Sequence, residues 1–300
     1  MEKKSEIYNK FSSPIINGEI IKNNSFKQVS ILSPSFQYGL TVFEGIRAYK
    51  NVNGDSKPFL LRNHINRLIN SSKLLGIKID FSYLDIENDI YQLLNNNKIK
   101  NDIYIKCIIA FLDTGSWNSY LNPDRVVFCY ELPSSFRSKN PEYLTASFTS
   151  INRISSNVLS PKIKCGANYI NSRMGVLDVN DGFLNSKIPI FIDSNGFISE
   201  TSGACIFIIK GKNVITPSLS SSVLESITRS YILGSIASVL KDITFREDFI
   251  DRWDVFNADA VFIVGTNVEM KGIKRIDHIE YPQNNEILIS IFREFRKIIS

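Results

Sequence analysis

The chain has 300 residues, of which 43% are hydrophobic and 22% charged, and its formal net charge is +5. This composition excludes a disordered or fibrous chain and leaves room for two domains. The lysines and arginines are scattered, so we expect neither nucleic acid nor a membrane as a partner. Four cysteines without a C-x-x-C pair and only two histidines predict a reduced protein with no metal site. Residues 1–6 are charged and no apolar stretch follows them, which completes the expectation of a cytoplasmic protein.

The first half of the chain alternates strand-like and helix-like stretches. Apolar residues on both sides of an Asn-Gly turn at 17–18 predict two short strands. Apolar residues at helical spacing predict one helix over 61–75 and a second that includes 86–94. The β-branched runs 103–112 and 125–132 predict buried strands.

A stretch rich in proline and serine then interrupts the pattern. It predicts a linker at 133–142 between a smaller domain, 1–132, and a larger one, 143–300. In the larger domain, the pattern predicts strands at 188–192, 197–200, 205–210 and 214–216, and helices at 224–240 and 287–299. We therefore expect an α+β protein of two domains.

Several short segments have an ordinary explanation when each is taken alone. A lysine beside a small-residue turn, such as Lys164, is normally solvated. Arg67 lies off the apolar face of its predicted helix, and Glu200 ends a predicted strand, so both would ordinarily be exposed charges. Ser226 and Thr228 would ordinarily cap a helix.

The order and spacing of these segments nevertheless resemble the fold-type IV pyridoxal-phosphate enzymes, and among them the branched-chain aminotransferases. Residues 38–49, Y-G-L-T-V-F-E-G-I-R-A-Y, are similar to that family's Y-G-x-x-x-F-E-G-I-R-x-Y segment, and 64–68 to its phosphate-arginine helix. The resemblance covers nearly the whole chain. It implies the two-domain fold of the D-amino-acid-aminotransferase type, with a smaller N-terminal α/β domain and a larger C-terminal domain. It also implies pyridoxal 5'-phosphate as cofactor and a homodimer.

The resemblance assigns a role to each matching residue. Lys164 matches the amine that holds the cofactor covalently and moves the substrate α-proton. Glu200 matches the carboxylate that keeps the ring nitrogen protonated, and Arg67 the guanidinium that binds the phosphate. Further cofactor contacts are implied for Tyr169, Ile227, Thr228 and Thr266, and substrate contacts for Tyr38, Phe43, Arg47, Tyr104, Lys106, Asn267 and Val268.

Two departures from the family concern the substrate. Lys106 stands where the family has an arginine that contacts the side-chain carboxylate of glutamate, so the charge is kept but the bidentate fork is lost. Thr266-Asn267-Val268-Glu269 stands where the family has Thr-Ala-Ala-Glu followed by a proline, and its Thr-Asn pair is similar to the aminodeoxychorismate lyases.

We expect an aminotransferase that acts on branched-chain L-amino acids and 2-oxo acids, with glutamate and 2-oxoglutarate as the shared pair. The alternatives on the same fold are an aminodeoxychorismate lyase, a D-amino-acid aminotransferase and an (R)-amine transaminase. An alternative of another class is an inactive homologue that serves as a binding module.

Overall fold

The chain divides into two compact units, and one short segment leaves its sequence neighbours to join the other unit. The structure is a computed structural model that describes residues 13–21, 29–180 and 187–299. The first unit consists of 1–134 together with 163–167, and the second of 135–162 with 168–300. The linker-based division did not anticipate that 163–167, which carries Lys164, packs with the first unit. The charged residues 1–6 lie outside the described part.

The first unit is built on a six-stranded antiparallel sheet with two long helices. Its strands are β1 (Ile15–Ile16), β2 (Glu19–Ile20), β3 (Thr41–Lys50), β4 (Ser56–Pro58), β5 (Ile103–Ala110) and β6 (Asp124–Glu131), in the order β2-β1-β6-β5-β3-β4. Its helices are α1 (Pro34–Tyr38), α2 (Leu61–Leu74) and α3 (Tyr83–Asn96). The predicted hairpin, helices and buried strands are confirmed within a few residues.

The pairing of β3 with β5 decides which side chains share a face. Gly45 lies opposite Lys106 and Phe43 opposite Ile108, so Phe43 and Lys106 point to the same side of the sheet. The alternate residues of β3, such as Glu44 and Ile46, are buried on the other side, where Glu44 meets side chains of α2.

The second unit is built on a nine-stranded mixed sheet. Its strands are β7 (Tyr143–Phe148), β8 (Ile188–Ile192), β9 (Ile198–Thr201), β10 (Cys205–Lys210), β11 (Asn213–Pro217), β12 (Thr244–Asp248), β13 (Ala260–Gly265), β14 (Glu269–Ile276) and β15 (Ile279–Glu280). The order is β12-β11-β10-β13-β14-β7-β8-β9, and β15 pairs with β14. Every residue of β13 is buried, so the apolar core of this unit lies at the centre of the sheet.

Helical segments complete the second unit. They are α4 (Asn168–Val179), α5 (Ile227–Tyr231), α6 (Ala237–Val239), α7 (Arg252–Phe256) and α8 (Glu286–Arg296), with a π-helical turn at Ile232–Ile236 and 3₁₀ turns at Ser135–Arg137 and Lys297–Ile299. The single helix predicted over 224–240 is thus a run of three pieces that begins at Ile227. The other predicted strands are confirmed within one or two residues, and the C-terminal helix predicted over 287–299 is Glu286–Arg296 followed by a 3₁₀ turn. Of the helices that the structure describes, none has the length and apolar character needed to cross a membrane.

Candidate active site

The backbone of Lys164 is fixed by both a strand and a helix of the first unit. The N–H of Phe43 donates to the carbonyl of Lys164 at 3.0 Å, and the N–H of Gly166 donates to the carbonyl of Thr41 at 3.1 Å. The N–H of Lys164 donates to Oγ of Ser71, on α2, at 3.2 Å. A Cβ on Gly166 would lie 2.7 Å from Oγ1 of Thr41, so the close approach to β3 requires glycine there. These contacts therefore hold the backbone of Lys164 in a defined place.

Two amines and two rings share the face of the sheet that carries Phe43. The Nζ of Lys106 lies 3.7 Å from the centre of the Phe43 ring, and the Nζ of Lys164 lies 5.0 Å from it. Tyr104 lies across Gly45, where a Cβ would come 1.7 Å from the tyrosine hydroxyl. The structure therefore brings together four residues that the sequence analysis named: Lys164, Phe43, Tyr104 and Lys106.

Lys106 is poised to change its charge near neutral pH. Burial, with the nearby charge of Lys164 as the second cause, lowers the pKa of Lys106 from 10.5 to about 8, while Glu44 opposes the shift. An arginine at this position would stay charged at any working pH. The departure from the family thus introduces a titratable group among the candidate substrate residues.

Arg67 is tied to a buried carboxylate on the opposite face of β3. Its Nε donates to Oε1 of Glu44 at 2.6 Å and its Nη2 donates to Oε2 at 2.9 Å. The Nδ1 of His64 lies 2.8 Å from the same Oε2, and Glu44 itself is 0% exposed. The expectation of a solvated arginine, from its place on the helix alone, is wrong. The sequence reasoning quoted the segment that contains Glu44 but did not use this acidic residue in the middle of a buried strand.

The two remaining substrate candidates of the first unit, Arg47 and Tyr38, differ in how far they are buried. Arg47 is buried on β3 and donates to the carbonyls of Leu132 and Pro133, where the first unit ends. Tyr38 is half exposed at the end of α1, which Gly39 terminates in a left-handed conformation with φ 66°. Arg47 thus makes contacts within its own unit that the sequence did not predict.

In the second unit, Glu200 is buried and paired rather than exposed at a strand end. Its Oε1 accepts from Nε of Arg153 at 2.9 Å and from Nη2 at 2.8 Å, and its Oε2 accepts from the N–H of Leu224 at 3.3 Å. Nη1 of Arg153 donates to Oδ1 of Asn171 at 2.9 Å. The sequence reasoning missed Arg153, which stands alone in a loop segment and has no motif around it. The pair fixes the orientation of the Glu200 carboxylate.

The start of α5 and the turn after β13 carry three other predicted cofactor residues. Ser226 caps α5, with its Oγ accepting from the N–H of Arg229 at 3.3 Å, so the buried Ile227 and Thr228 occupy the first turn of the helix. Amides in that position favour an anion. The turn at 266–268 joins β13 to β14; its middle residue, Asn267, is exposed.

The flanks of the turn at 266–268 are held within the second unit. Val268 packs partly buried against the apolar core, which leaves its backbone rather than its side chain for a ligand. Glu269 has φ 59° and accepts from the N–H and the hydroxyl of Ser135, both at 2.6 Å. Thr266 is half-buried, and Tyr169, in the first turn of α4, is 37% exposed.

Comparisons with known proteins find relatives over nearly the whole chain. The branched-chain-amino-acid aminotransferase of Escherichia coli strain K12 is 29% identical over 272 residues, which are 88% of this chain and 84% of that protein. The solved structure of the Thermoproteus uzoniensis branched-chain aminotransferase with norvaline is similar with a TM-score of 0.86 and 28% identity, over 97% of this chain and 95% of that one. The PLP-form of the Thermobaculum terrenum enzyme is similar with a TM-score of 0.86 and 27% identity, over 96% and 94%.

These likenesses confirm the predicted α+β fold type and the family resemblance. The family model described as amino-transferase class IV matches residues 41–276. That range includes Lys164, Arg67 and Glu200 and spans most of the chain. The chain therefore belongs to the class IV aminotransferases.

Proposed function

We propose that the chain is a pyridoxal-phosphate-dependent aminotransferase that exchanges the amino group between branched-chain L-amino acids and 2-oxoglutarate. The observation that carries the proposal is the fixed backbone of Lys164, whose amine lies beside Phe43 on the face that also carries Tyr104 and Lys106. A positioned primary amine beside an apolar wall is what this reaction needs from the protein.

The candidate side chains and amides have the chemistry that binding of pyridoxal phosphate requires. When bound, that cofactor supplies an electron sink for the charge that develops at the substrate α-carbon. Lys164 would hold it covalently, and the buried Glu200, oriented by Arg153, would face its ring nitrogen. Arg67 and the first-turn amides of Ile227 and Thr228 are the groups that bind a phosphate well. Thr266 and Tyr169 would add a hydroxyl each.

The residues of the chain would also move the proton and select the substrate. Nζ of Lys164 would take the proton from Cα of the donor amino acid and return one later. Phe43 and Tyr104 would give an apolar wall for a branched side chain, and Lys106 would bind the second carboxylate of glutamate as a point charge. In such an apolar pocket, one methylene is worth roughly 1–3 kcal/mol, which ranks donors of different size without excluding close relatives.

A homodimer and a cytoplasmic location belong to the same proposal. Five large apolar side chains within residues 29–38 are between 48% and 70% exposed: Val29, Ile31, Leu32, Phe36 and Tyr38. Such a concentration of exposed apolar residues is typical of a surface that another chain covers. The four cysteines are all free and buried, which supports a reducing location.

An amino-donor panel with 2-oxoglutarate tests the proposed reaction. Valine, leucine and isoleucine should be better donors than aspartate or alanine, and D-amino acids and (R)-amines should be inactive. Release of pyruvate from aminodeoxychorismate, without transamination of any branched-chain acid, would establish the lyase instead. Purified protein that takes up no cofactor and shows no visible absorption would establish the inactive binding module.

A further inference from the structure

Glu44 is a fully buried acid to which neither the proposed chemistry nor the sequence motifs assign a role. It lies on β3 among buried apolar neighbours, Val42, Ile46 and Ala48, and is 0% exposed. Taking a carboxylate out of water is unfavourable by several kcal/mol unless charged or hydrogen-bonding partners compensate. An apolar residue would pack at this place without that penalty, so the acid calls for an explanation through what it contacts.

The partners of Glu44 compensate its burial and fix its charge. Burial by itself raises the pKa of Glu44, but Arg67 and His64 outweigh it and hold the pKa well below its ordinary range. Burial lowers the pKa of His64, so its imidazole is neutral. Because an ionised carboxylate only accepts hydrogen bonds, Nδ1 of His64 carries the proton and donates to Glu44. Each oxygen of the carboxylate is therefore held from a defined direction.

The geometry of the ion pair constrains the arginine as much as the acid. Glu44 binds the side of the guanidinium formed by Nε and Nη2, at 2.6 and 2.9 Å. A planar guanidinium has five N–H groups in a fixed fork. Once the Nε side is bound to Glu44, the edge formed by Nη1 and Nη2 faces a different direction from that carboxylate. The carboxylate thus determines which edge of Arg67 an anion can meet.

We infer that Glu44 is a positioning residue that orients the Arg67 guanidinium for the phosphate of the cofactor. This inference rests on the proposed function, in which Arg67 binds that phosphate. His64 has a supporting part, since its bond to Oε2 keeps the carboxylate from rotating away from the arginine. Glu44 acts through Arg67 and need not touch the cofactor.

The test compares the affinity for pyridoxal phosphate with that for pyridoxal, which lacks the phosphate. In Glu44→Gln, the amide nitrogen would face an arginine or histidine donor, so the bidentate contact cannot form. We expect the dissociation constant for pyridoxal phosphate to rise about ten- to a hundredfold, the range for one lost charge-assisted hydrogen bond. The constant for pyridoxal should change less than about twofold, because that ligand has no group for Arg67 to bind.

A matched control separates orientation from stability. Asp89 is also a buried acid of the first unit, and its Oδ2 accepts from Nε of Arg125 at 2.6 Å. Asp89→Asn removes a comparable ion pair, which joins α3 to β6, and should leave the ratio of the two dissociation constants unchanged. In a variant that already carries Arg67→Gln, adding Glu44→Gln should cause no further change in the ratio.

The possible results distinguish a failure of the positioning role of Glu44 from a failure of the proposed function. Equal weakening of both ligands in Glu44→Gln, or no weakening, overturns the positioning role while the proposed function stands. A wild-type protein that binds neither ligand overturns the proposed function instead. Should Glu44→Gln fail to fold, Glu44→Asp keeps the charge but shortens its reach by one methylene, and an unchanged ratio there overturns the inference.

Discussion

The charge of Lys106 should make the use of 2-oxoglutarate depend on pH in a way that its arginine counterpart would not. The pKa of Lys106 lies at about 8, because it is buried and close to Lys164. A lysine with that pKa is about 90% protonated at pH 7 and about 10% protonated at pH 9. Glu44 opposes the shift by favouring the charged form, and the ring of Phe43 lies 3.7 Å from the amine.

The expected effect follows from the protonated fraction. Only the ammonium form attracts the second carboxylate of 2-oxoglutarate, so binding is strongest below about pH 8 and is lost as the pH rises through that value. The KM for 2-oxoglutarate should therefore rise about tenfold from pH 7 to pH 9. The KM for 4-methyl-2-oxopentanoate, which has no second carboxylate, is the internal reference, because titration of other groups affects both acceptors.

A lysine-to-arginine variant provides the decisive comparison. In Lys106→Arg, the guanidinium stays charged throughout, so the ratio of the two KM values should become independent of pH and the KM for 2-oxoglutarate should fall. Initial rates at saturating donor, measured in steps between about pH 6.5 and 9.5, are sufficient to resolve the change. A ratio that is flat in the wild type, or equally steep in Lys106→Arg, would show that Lys106 does not face the acceptor.

Other predictions concern the cofactor, the assembly and the core. Lys164→Ala should abolish transamination and the borohydride-dependent mass increase by the cofactor; a tenth of normal activity would contradict its role. Glu200→Gln should bind cofactor but lose about a hundredfold or more in kcat, whereas Asp193→Asn, in a turn where Asp193 Oδ1 accepts from the N–H of Phe197 at 3.0 Å, should retain kcat. Sedimentation should give a dimer, and an active monomer would refute that assembly. Phe136→Ala, at a side chain that is 0% exposed, should lower the free energy of unfolding in denaturant by about 3–5 kcal/mol, and a loss below about 1 kcal/mol would contradict tight packing there.

Apolar spacing predicted the secondary structure well wherever one face of an element is apolar. The helix predicted over 61–75 is Leu61–Leu74, and its buried positions include Ile65 and Leu68, as the pattern requires. The strands at 188–192 and 205–210 have the predicted bounds. Local sequence is sufficient there because the core that covers each element is apolar throughout.

The helix Asn168–Val179 shows where that reasoning fails. Its buried positions are Asn168, Ser172 and Gly175, which are small or polar and leave no apolar stripe to detect. A Cβ on Gly175 would lie 2.3 Å from Cζ of Phe191, so the helix lies against the sheet through its smallest residue. The helix packs through the close approach of its backbone at Gly175 to the ring of Phe191. The periodicity of apolar residues in the sequence cannot reveal such a contact.

Charges within the site were predicted by resemblance but not by local pattern. Arg67 is partly buried and Glu200 is buried, and their partners Glu44 and Arg153 lie 23 and 47 positions away in the chain. Strand register and the path of the loops determine which residues form these ion pairs, and neither can be derived from a single sequence. The identity of the site residues could be carried over from a family; the residues that hold them in place had to come from the structure.

The excursion of residues 163–167 into the first unit has a consequence for the order in which the protein can form during synthesis. The ribosome completes residues 1–134 first. At that stage the edge of β3 at 41–43 is unpaired, because residues 163–167 have not yet been made. Residues 135–162, which belong to the second unit, must emerge before that segment does. An unpaired strand edge is a template for association with another chain, so a nascent or truncated product ending before residue 163 should be the most aggregation-prone form. Lys164, to which the proposed function assigns the cofactor, therefore arrives after every strand of the first sheet.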